Sequence, residues 1–311
     1  MNETTTKTKY RIRNWNKYDK ALVQRGSLTV WIEDSAIETW LDLNVPSGRG
    51  KRRTYSDVAI ECMMTLKEVY HLPNRAAEGL ARSIMQLLGV DLPVADHTTL
   101  SRRGRKLKVK FKADERREIK HLVIDATGLK VYGEGEWKVR THGKDKRRTW
   151  RKLHLSIDAA TQQITAAIIT DNGTVDGKVL AQLLELTEGE IEKVCADGAY
   201  DYEECYQAIE DEGALAIIPP RSNAVIKGGE PFEQRNTNLR QISYVGRKQW
   251  KKEIGYHKRS LAETGIFRLK TILGERLRAR TMETQSCEVM IRCKALNRMT
   301  ELGMPESYPV F

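Results

Sequence analysis

Over the first 110 positions apolar residues recur every three to four residues; from about position 120 they gather into short uninterrupted runs. The chain is therefore predicted to be mostly helical first and strand-bearing later. Between 56 and 70 the apolar positions Val58, Ile60, Met63, Met64, Leu66 and Val69 follow a helical spacing, with Ser56 placed as the N-cap. The LPN sequence at 72–74 ends that helix, and Asn74 is placed to cap a second one reaching about position 88. A third, short helix opens at His97 and carries Arg102, Arg103, Arg105 and Lys106. Three short helices ending in a basic one suggest a helix-turn-helix-like module with its last helix facing a DNA groove. The same pattern also suits a small bundle with a solvated basic face.

From Lys120 the period changes. HLVID at 121–125 is an apolar run closing on a carboxylate, and 153–158 and 164–170 are two more strands joined by turn residues at 159–163. A helical stretch at 175–186 precedes the strand IEKVCAD at 191–197, a helix from about Tyr200 and a strand at 214–218 closed by two prolines. Residues 221–250 are polar, with Gly228, Gly229 and Pro231, and are predicted as a loop-rich insertion extending to about 255. A long helix follows from Tyr256 to Leu273, with Ile254, Leu261, Ile266, Phe267, Leu269 and Leu273 assigned to packing. The order predicts an α/β protein with a mixed sheet covered by helices. A boundary near 115 would separate a helical region, 1–115, from the sheet-bearing region, 116–311.

Charge adds to this picture. The 53 Lys and Arg outnumber 42 Asp and Glu for a formal +11, which points to a polyanionic partner. Residues 171–212 reverse the sign, with 13 acidic against two basic residues, whereas 137–152 holds eight basic and one acidic. Carboxylates enclosed by cations suit a metal-dependent site acting on a polyanion, although a charge run is more often a solvated face. The basic arm 138–152, including Arg147 and Arg148, is read as a grip on DNA backbone. The apolar runs are far shorter than the roughly 20 residues of a membrane span, and the N-terminus lacks an apolar leader core. Five scattered cysteines with no Cys-x-x-Cys pair fit small buried side chains in a reducing cytoplasm.

Asp125 and Asp197 each end an apolar run and precede a glycine, at 128 and 198. Strand-end carboxylates lie where open α/β sheets bind ligands, although such an Asp is alone more often a turn former. On the helix from Tyr256, at about 100° per residue, Tyr256, Arg259, Glu263 and Lys270 fall within an arc of roughly 60°. A narrow polar stripe with a single acid is unlike an ordinary surface helix.

The spacing Tyr-x2-Arg-x3-Glu-x6-Lys at 256–270 resembles the signature of bacterial insertion-sequence transposases of the DDE class. The segments at 125–137, 150–155, 196–201 and 218–221, and the opening NW at 14–15 and RGSLT at 25–29, look like the corresponding blocks of that family, in the same order. The resemblance implies a ribonuclease-H-like fold shared with retroviral integrases and a metal-binding triad of Asp125, Asp197 and Glu263. Two Mg²⁺ (or Mn²⁺) ions, roughly 4 Å apart, would serve phosphodiester cleavage and joining. It also implies phosphate contacts by Tyr256, Arg259 and Lys270, a DNA partner consisting of terminal inverted repeats and target, and a dimer or larger assembly on DNA.

Several residues keep two readings. Trp250 is either a platform for a flipped base or a packed core side chain. Asp201 either assists the metal or faces solvent beside Asp197, the second being expected, and His142 and His154 are expected to be structural or phosphate-facing, since hard oxygen sites do not need imidazole. Two rival functions stay open: a ribonuclease-H-like nuclease that joins nothing, and a catalytically silent DNA-binding repressor.

Overall fold

In a computed structural model describing residues 9–43, 54–111, 118–131, 150–229 and 232–310, the chain begins with β1 (Lys9–Ile12) and short helices α1 (Trp15–Gln24), α2 (Leu28–Trp31) and α3 (Asp34–Glu38). Then come α4 (Asp57–Val69), α5 (Asn74–Leu87) and α6 (His97–Gly104). Ser56 caps α4 as expected, its hydroxyl accepting the Ala59 N–H at 3.1 Å. Ser56→Ala is expected to cost about 1 kcal/mol and to lower the midpoint of a thermal melt by about 2 °C. Asp96 caps α6 by accepting from the Thr98 and Thr99 backbones. Asn74, by contrast, lies inside α5, whose N-cap is Pro73.

The sheet region follows: β2 (Glu118–Ile119), β3 (Leu122–Val131), β4 (Trp150–Asp158), β5 (Ile164–Asp171), α7 (Gly177–Glu185), β6 (Glu190–Ile191), β7 (Lys193–Cys195), α8 (Glu203–Asp211) and β8 (Leu215–Ile217). After these come α9 (Glu233–Val245), α10 (Arg247–Glu253), α11 (Ser260–Leu273), β9 (Arg276–Leu277), α12 (Met282–Leu302) and β10 (Ser307–Val310). The main sheet runs β5-β4-β3-β7-β8, with β3, β4 and β5 antiparallel and β7 and β8 parallel to β3. The mixed α/β class is thus as the sequence predicted.

Alternation along β3 assigns its two faces. Leu122 and Ile124 pack with α7 and α8 through Leu180, Leu183, Tyr206 and Ile209. Val123 and Leu129 point the other way, into a core holding Ala262, Ile266 and Leu269 of α11 and Val289, Ile291 and Leu296 of α12. Ile60, Met63 and Leu66 of α4 belong to that same core, so the helices of 1–115 and the sheet of 116–311 share one apolar interior. α11 lies close on β4 because Gly265 has no side chain; a Cβ there would stand 2.5 Å from Ile157 Cδ1.

Three sequence expectations need correction. First, β3 does not end at Asp125 but continues to Val131, because β4 pairs it from Leu122 to Lys130, with Asp125 opposite Leu155, and β9 pairs its last two residues. Second, the 221–255 insertion is not loop-rich: α9 and α10 occupy most of it. Its polarity has a structural use. On α9, Gln234 accepts the Ala216 N–H at 2.7 Å and donates to the Ala214 carbonyl at 3.1 Å, and Asn238 donates to the Ala216 carbonyl at 3.0 Å. Polar side chains thus close the open edge of β8, where an apolar face would leave backbone groups unpaired. Third, the helix predicted from Tyr256 starts as a 3₁₀ turn, Tyr256–Arg259, and becomes α-helical at Ser260.

Candidate active site

β4 occupies one edge of β3, so β7 and β9 share the other. β7 pairs only at Leu122 and Val123, β9 only at Lys130 and Val131, and Asp125 lies in the gap between them. A strand edge released from its ladder leaves room for a side chain and its ligands. Parity puts Asp125 on the α11 face, with 17% of its side chain exposed. Asp197 comes two residues after β7, where its carboxylate accepts the Ala199 N–H at 2.8 Å and caps a 3₁₀ turn, Gly198–Tyr200. Gly198 suits the closeness of this turn, since a Cβ there would sit 3.3 Å from the Pro219 carbonyl oxygen and press on it.

The turn Tyr256–Arg259 carries the cationic side of the site. It docks on the end of β7, with the Cys195 thiol 3.9 Å from the Tyr256 carbonyl. Arg259 extends between two acids: its guanidinium donates to Asp125 Oδ2 at 3.5 Å and pairs with Glu263 through Oε1. The Arg259 guanidinium carbon also stands 6.0 Å from the Tyr256 ring centroid, and Lys251 Nζ 4.7 Å from it. Burial pushes the Asp125 carboxyl above its ordinary range; the Ala126 N–H and Arg259 pull it down, and the nearby Asp197 and Glu263 carboxylates push it up again. The charges of Asp197 and Glu263 thus both bear on Asp125 at the gap in the sheet. Their donors are all carboxylate oxygens, the chemistry of a hard divalent cation that keeps part of its water. Among the described residues no three His, Cys, Asp or Glu side chains stand ready to hold a metal; Arg259 lies between two of the three.

Lys270 lies two turns beyond Glu263, near Lys130 and Glu275 at the far end of β3; burial, more than its neighbours, pulls its ammonium below the usual value. It is thus separated from Arg259, which lies in the turn before α11, rather than clustered with it.

Residues 116–298, more than half of the chain, match a family described as "Transposase DDE domain", and residues 23–134 match a second family of the same description. The chain belongs to the DDE transposase family. A solved structure, piggyBac transposase in a synaptic complex with hairpin DNA, covers 94% of this chain and 76% of its own at 13% identity and a TM-score of 0.42. No helix among the described residues of this transposase-family chain is long and apolar enough to cross a membrane.

The remaining expected site residues divide. Trp250 is 1% exposed and its indole N–H donates to Gln241 at 3.2 Å, so it is the packed core side chain of its two readings and offers no face to a base. Asp201 is buried rather than solvated: it accepts from Arg235 Nε at 2.8 Å, the Arg221 backbone at 2.9 Å and the Tyr206 hydroxyl at 3.1 Å. That ion pair ties α9 to the turn holding Asp197, a positioning role that its spacing of four from Asp197 did not disclose. His154 is enclosed on the opposite face of the sheet, its Nε2 2.9 Å from the Thr170 hydroxyl, and is structural. Of the basic residues on and after α6, Arg103 is tied to the Tyr55 carbonyl and Asp57, whereas Arg102, Arg105 and Lys106 differ in exposing charge to solvent. Arg147, Arg148 and His142 lie outside the described residues.

Phe267 departs from its packing assignment. It is 68% exposed, on the face of α11 that carries Glu263. At about 100° per residue it falls roughly 40° from Glu263 and about 20° beyond the edge of the polar stripe, so the wheel did not separate it from the packed residues.

Proposed function

We propose that this chain is an insertion-sequence transposase that binds the terminal inverted repeats of its element, cleaves the ends and joins the 3′-hydroxyls to target DNA. The observation that supports this is the placement of Arg259 between Asp125 and Glu263 beside the gap where β7 leaves β3, with Asp197 two residues past the end of β7, on a structure whose strand order and directions suit the ribonuclease-H-like reading. The three carboxylates would hold Mg²⁺ or Mn²⁺, two ions supplying Lewis-acid activation of the attacking oxygen and stabilisation of the leaving one. Asp125 is fixed for this by the Ala126 N–H at 2.9 Å, and Asp197 by the tight turn that follows it.

Arg259 has a second task. Its planar donors match a phosphate as well as a carboxylate, so a scissile phosphate arriving beside Glu263 draws the guanidinium off the acids. Lys270, further along α11, would hold a phosphate upstream or downstream of that point. The exposed Arg102, Arg105 and Lys106, with the arm around Arg147 and Arg148, would supply sequence-independent backbone affinity. Two ends must be held for joining, which calls for at least a homodimer on DNA.

The test is strand transfer in vitro, with a labelled duplex carrying the element's own end and a supercoiled target plasmid. Joined product is expected with Mg²⁺ or Mn²⁺ and none with EDTA. Cleavage without joining would replace this reading by a nuclease; specific end binding with neither reaction would replace it by a repressor.

A further inference from the structure

On the face of the sheet opposite Asp125, two enclosed side chains each carry an unpaired polar atom. Leu153 and Leu155 turn into the core under α11, so His154 between them turns towards α7. Tyr200 belongs to the core on that side, and Asp176 immediately precedes α7. His154 is 0% exposed and Tyr200 1% exposed. Among the described residues, neither His154 Nδ1 nor the Tyr200 hydroxyl has a hydrogen-bond partner. Their polarities follow from their neighbours. The Thr170 hydroxyl donates to the Asp171 carbonyl at 3.2 Å, so it accepts from His154 Nε2 at 2.9 Å. Burial pulls the ring below its ordinary value, which favours the neutral imidazole; protonated at Nε2, that form leaves Nδ1 an acceptor. Nδ1 thus faces a second acceptor, Asp176 Oδ1, at 3.9 Å, a span suited to a bridging water. Lys152 Nζ holds the same Asp176 oxygen at 2.9 Å. Tyr200 has the opposite polarity. Burial pushes its phenol up, and Asp176 is the charge that adds most to this, ahead of Asp125 and Asp197, so the O–H stays a donor. One donor and two acceptors suit a water, which accepts once and donates twice, the usual three bonds of a buried one.

We propose that Tyr200 is a positioning residue of the acidic site, its hydroxyl tied to Asp176 and His154 through one enclosed water, so that the turn carrying Asp197 is held against α7. The proposal rests on the reading of Asp197 as a metal-binding acid. Tyr200 closes the 3₁₀ turn that Asp197 caps. Asp201, next in sequence, is tied to Arg235 of α9, so the turn is anchored on two sides. Side chains that orient a metal-binding acid without touching the ion govern how tightly it binds.

The test uses the full chain and Tyr200→Phe, which keeps the packed ring and removes only the hydroxyl. In the metal-free chain, amide hydrogen exchange over the turn Gly198–Tyr200 is expected to quicken by about 2- to 10-fold, the worth of one hydrogen bond. On a duplex of the element's end, with the duplex alone as blank, the variant is expected to bind Mn²⁺ about 10- to 100-fold more weakly by electron paramagnetic resonance. Asp176→Asn weakens Mn²⁺ binding in the same way, and the double variant is little worse than either, because both act through one water. Native exchange or native Mn²⁺ affinity for Tyr200→Phe overturns the proposal and leaves the transposase reading standing. Additive losses in the double variant overturn it too, since the two side chains then act separately. A native complex with no Mn²⁺ site that Asp197→Asn removes overturns the metal-binding reading of Asp197, and this proposal with it.

Discussion

Asp125→Asn is expected to reduce end cleavage and strand transfer by about a thousandfold or more, while raising the thermal midpoint at neutral pH. Both effects come from one carboxylate held in the wrong surroundings for its own stability. Charge stabilisation at a metal-assisted phosphoryl transfer amounts to several kcal/mol, and each ~1.4 kcal/mol is a factor of ten in rate. Asn preserves the shape of Asp125 and removes its charge, so the loss falls on the chemistry. The carboxyl titrates above its ordinary range, through burial first and then through Asp197 and Glu263. A raised carboxyl costs nothing at low pH, where folded and unfolded chains are both protonated, and costs stability increasingly as pH rises through its titration range. The native and Asp125→Asn midpoints should therefore coincide near about pH 3 and separate by pH 7 with the variant higher. Melting curves at the two pH values, beside the strand-transfer assay, check this. A variant less stable at pH 7 would make Asp125 a structural residue.

Glu68→Ala is expected to cost about 3–5 kcal/mol of stability, the usual penalty for breaking a buried ion pair from one side. Glu68 is completely enclosed on α4. It accepts from Arg292 Nε on α12 at 2.8 Å and from Arg278 at 3.2 Å, and pairs with its neighbour Lys67. Arg292 in turn pairs with Glu288 and donates to the carbonyls of Gly274 and Arg276, at the end of α11 and the start of β9. The network thus binds the N-terminal helices to the end of the helix bearing Glu263 and Lys270. Burial alone would raise the Glu68 carboxyl; Lys67, Arg292 and Arg278 outweigh it and bring it down to about 2. The contribution is complete above the ordinary value of 4.5 and is lost as pH falls from there towards 2. Urea midpoints should fall over that window for the native chain and change less for Glu68→Ala. Equal midpoints for the two chains at pH 7 would refute the role given to the network.

Much of the sheet region and of the candidate site was legible because its information is local. The apolar runs of β3, β4, β5, β7 and β8 and the helix α11 announce themselves by period, and Asp125, Asp197 and Glu263 stand in motifs whose spacing pointed to one kind of chemistry. α9 was unreadable for a definite reason: Gln234, Asn236 and Asn238 are turned inward to satisfy backbone groups, so a buried helix face reads as polar. α12 was missed as well. It is enclosed on several sides, with Gln285, Glu288 and Arg292 buried among its apolar residues, so no clean stripe marks it.

By itself the sequence determined the alternation of strands and helices, the excess of cations, the acids and the cationic stripe from Tyr256 to Lys270, since each depends on residue type and short spacing. Tertiary structure alone decided the gap between β7 and β9 that opens a place for Asp125, the burial of Trp250 and Asp201, the exposure of Phe267, and the position of Arg259 between two carboxylates. These depend on which distant segments meet. Side-chain direction is shared by many packings, and only the closing of one core around β3 and α11 selects among them.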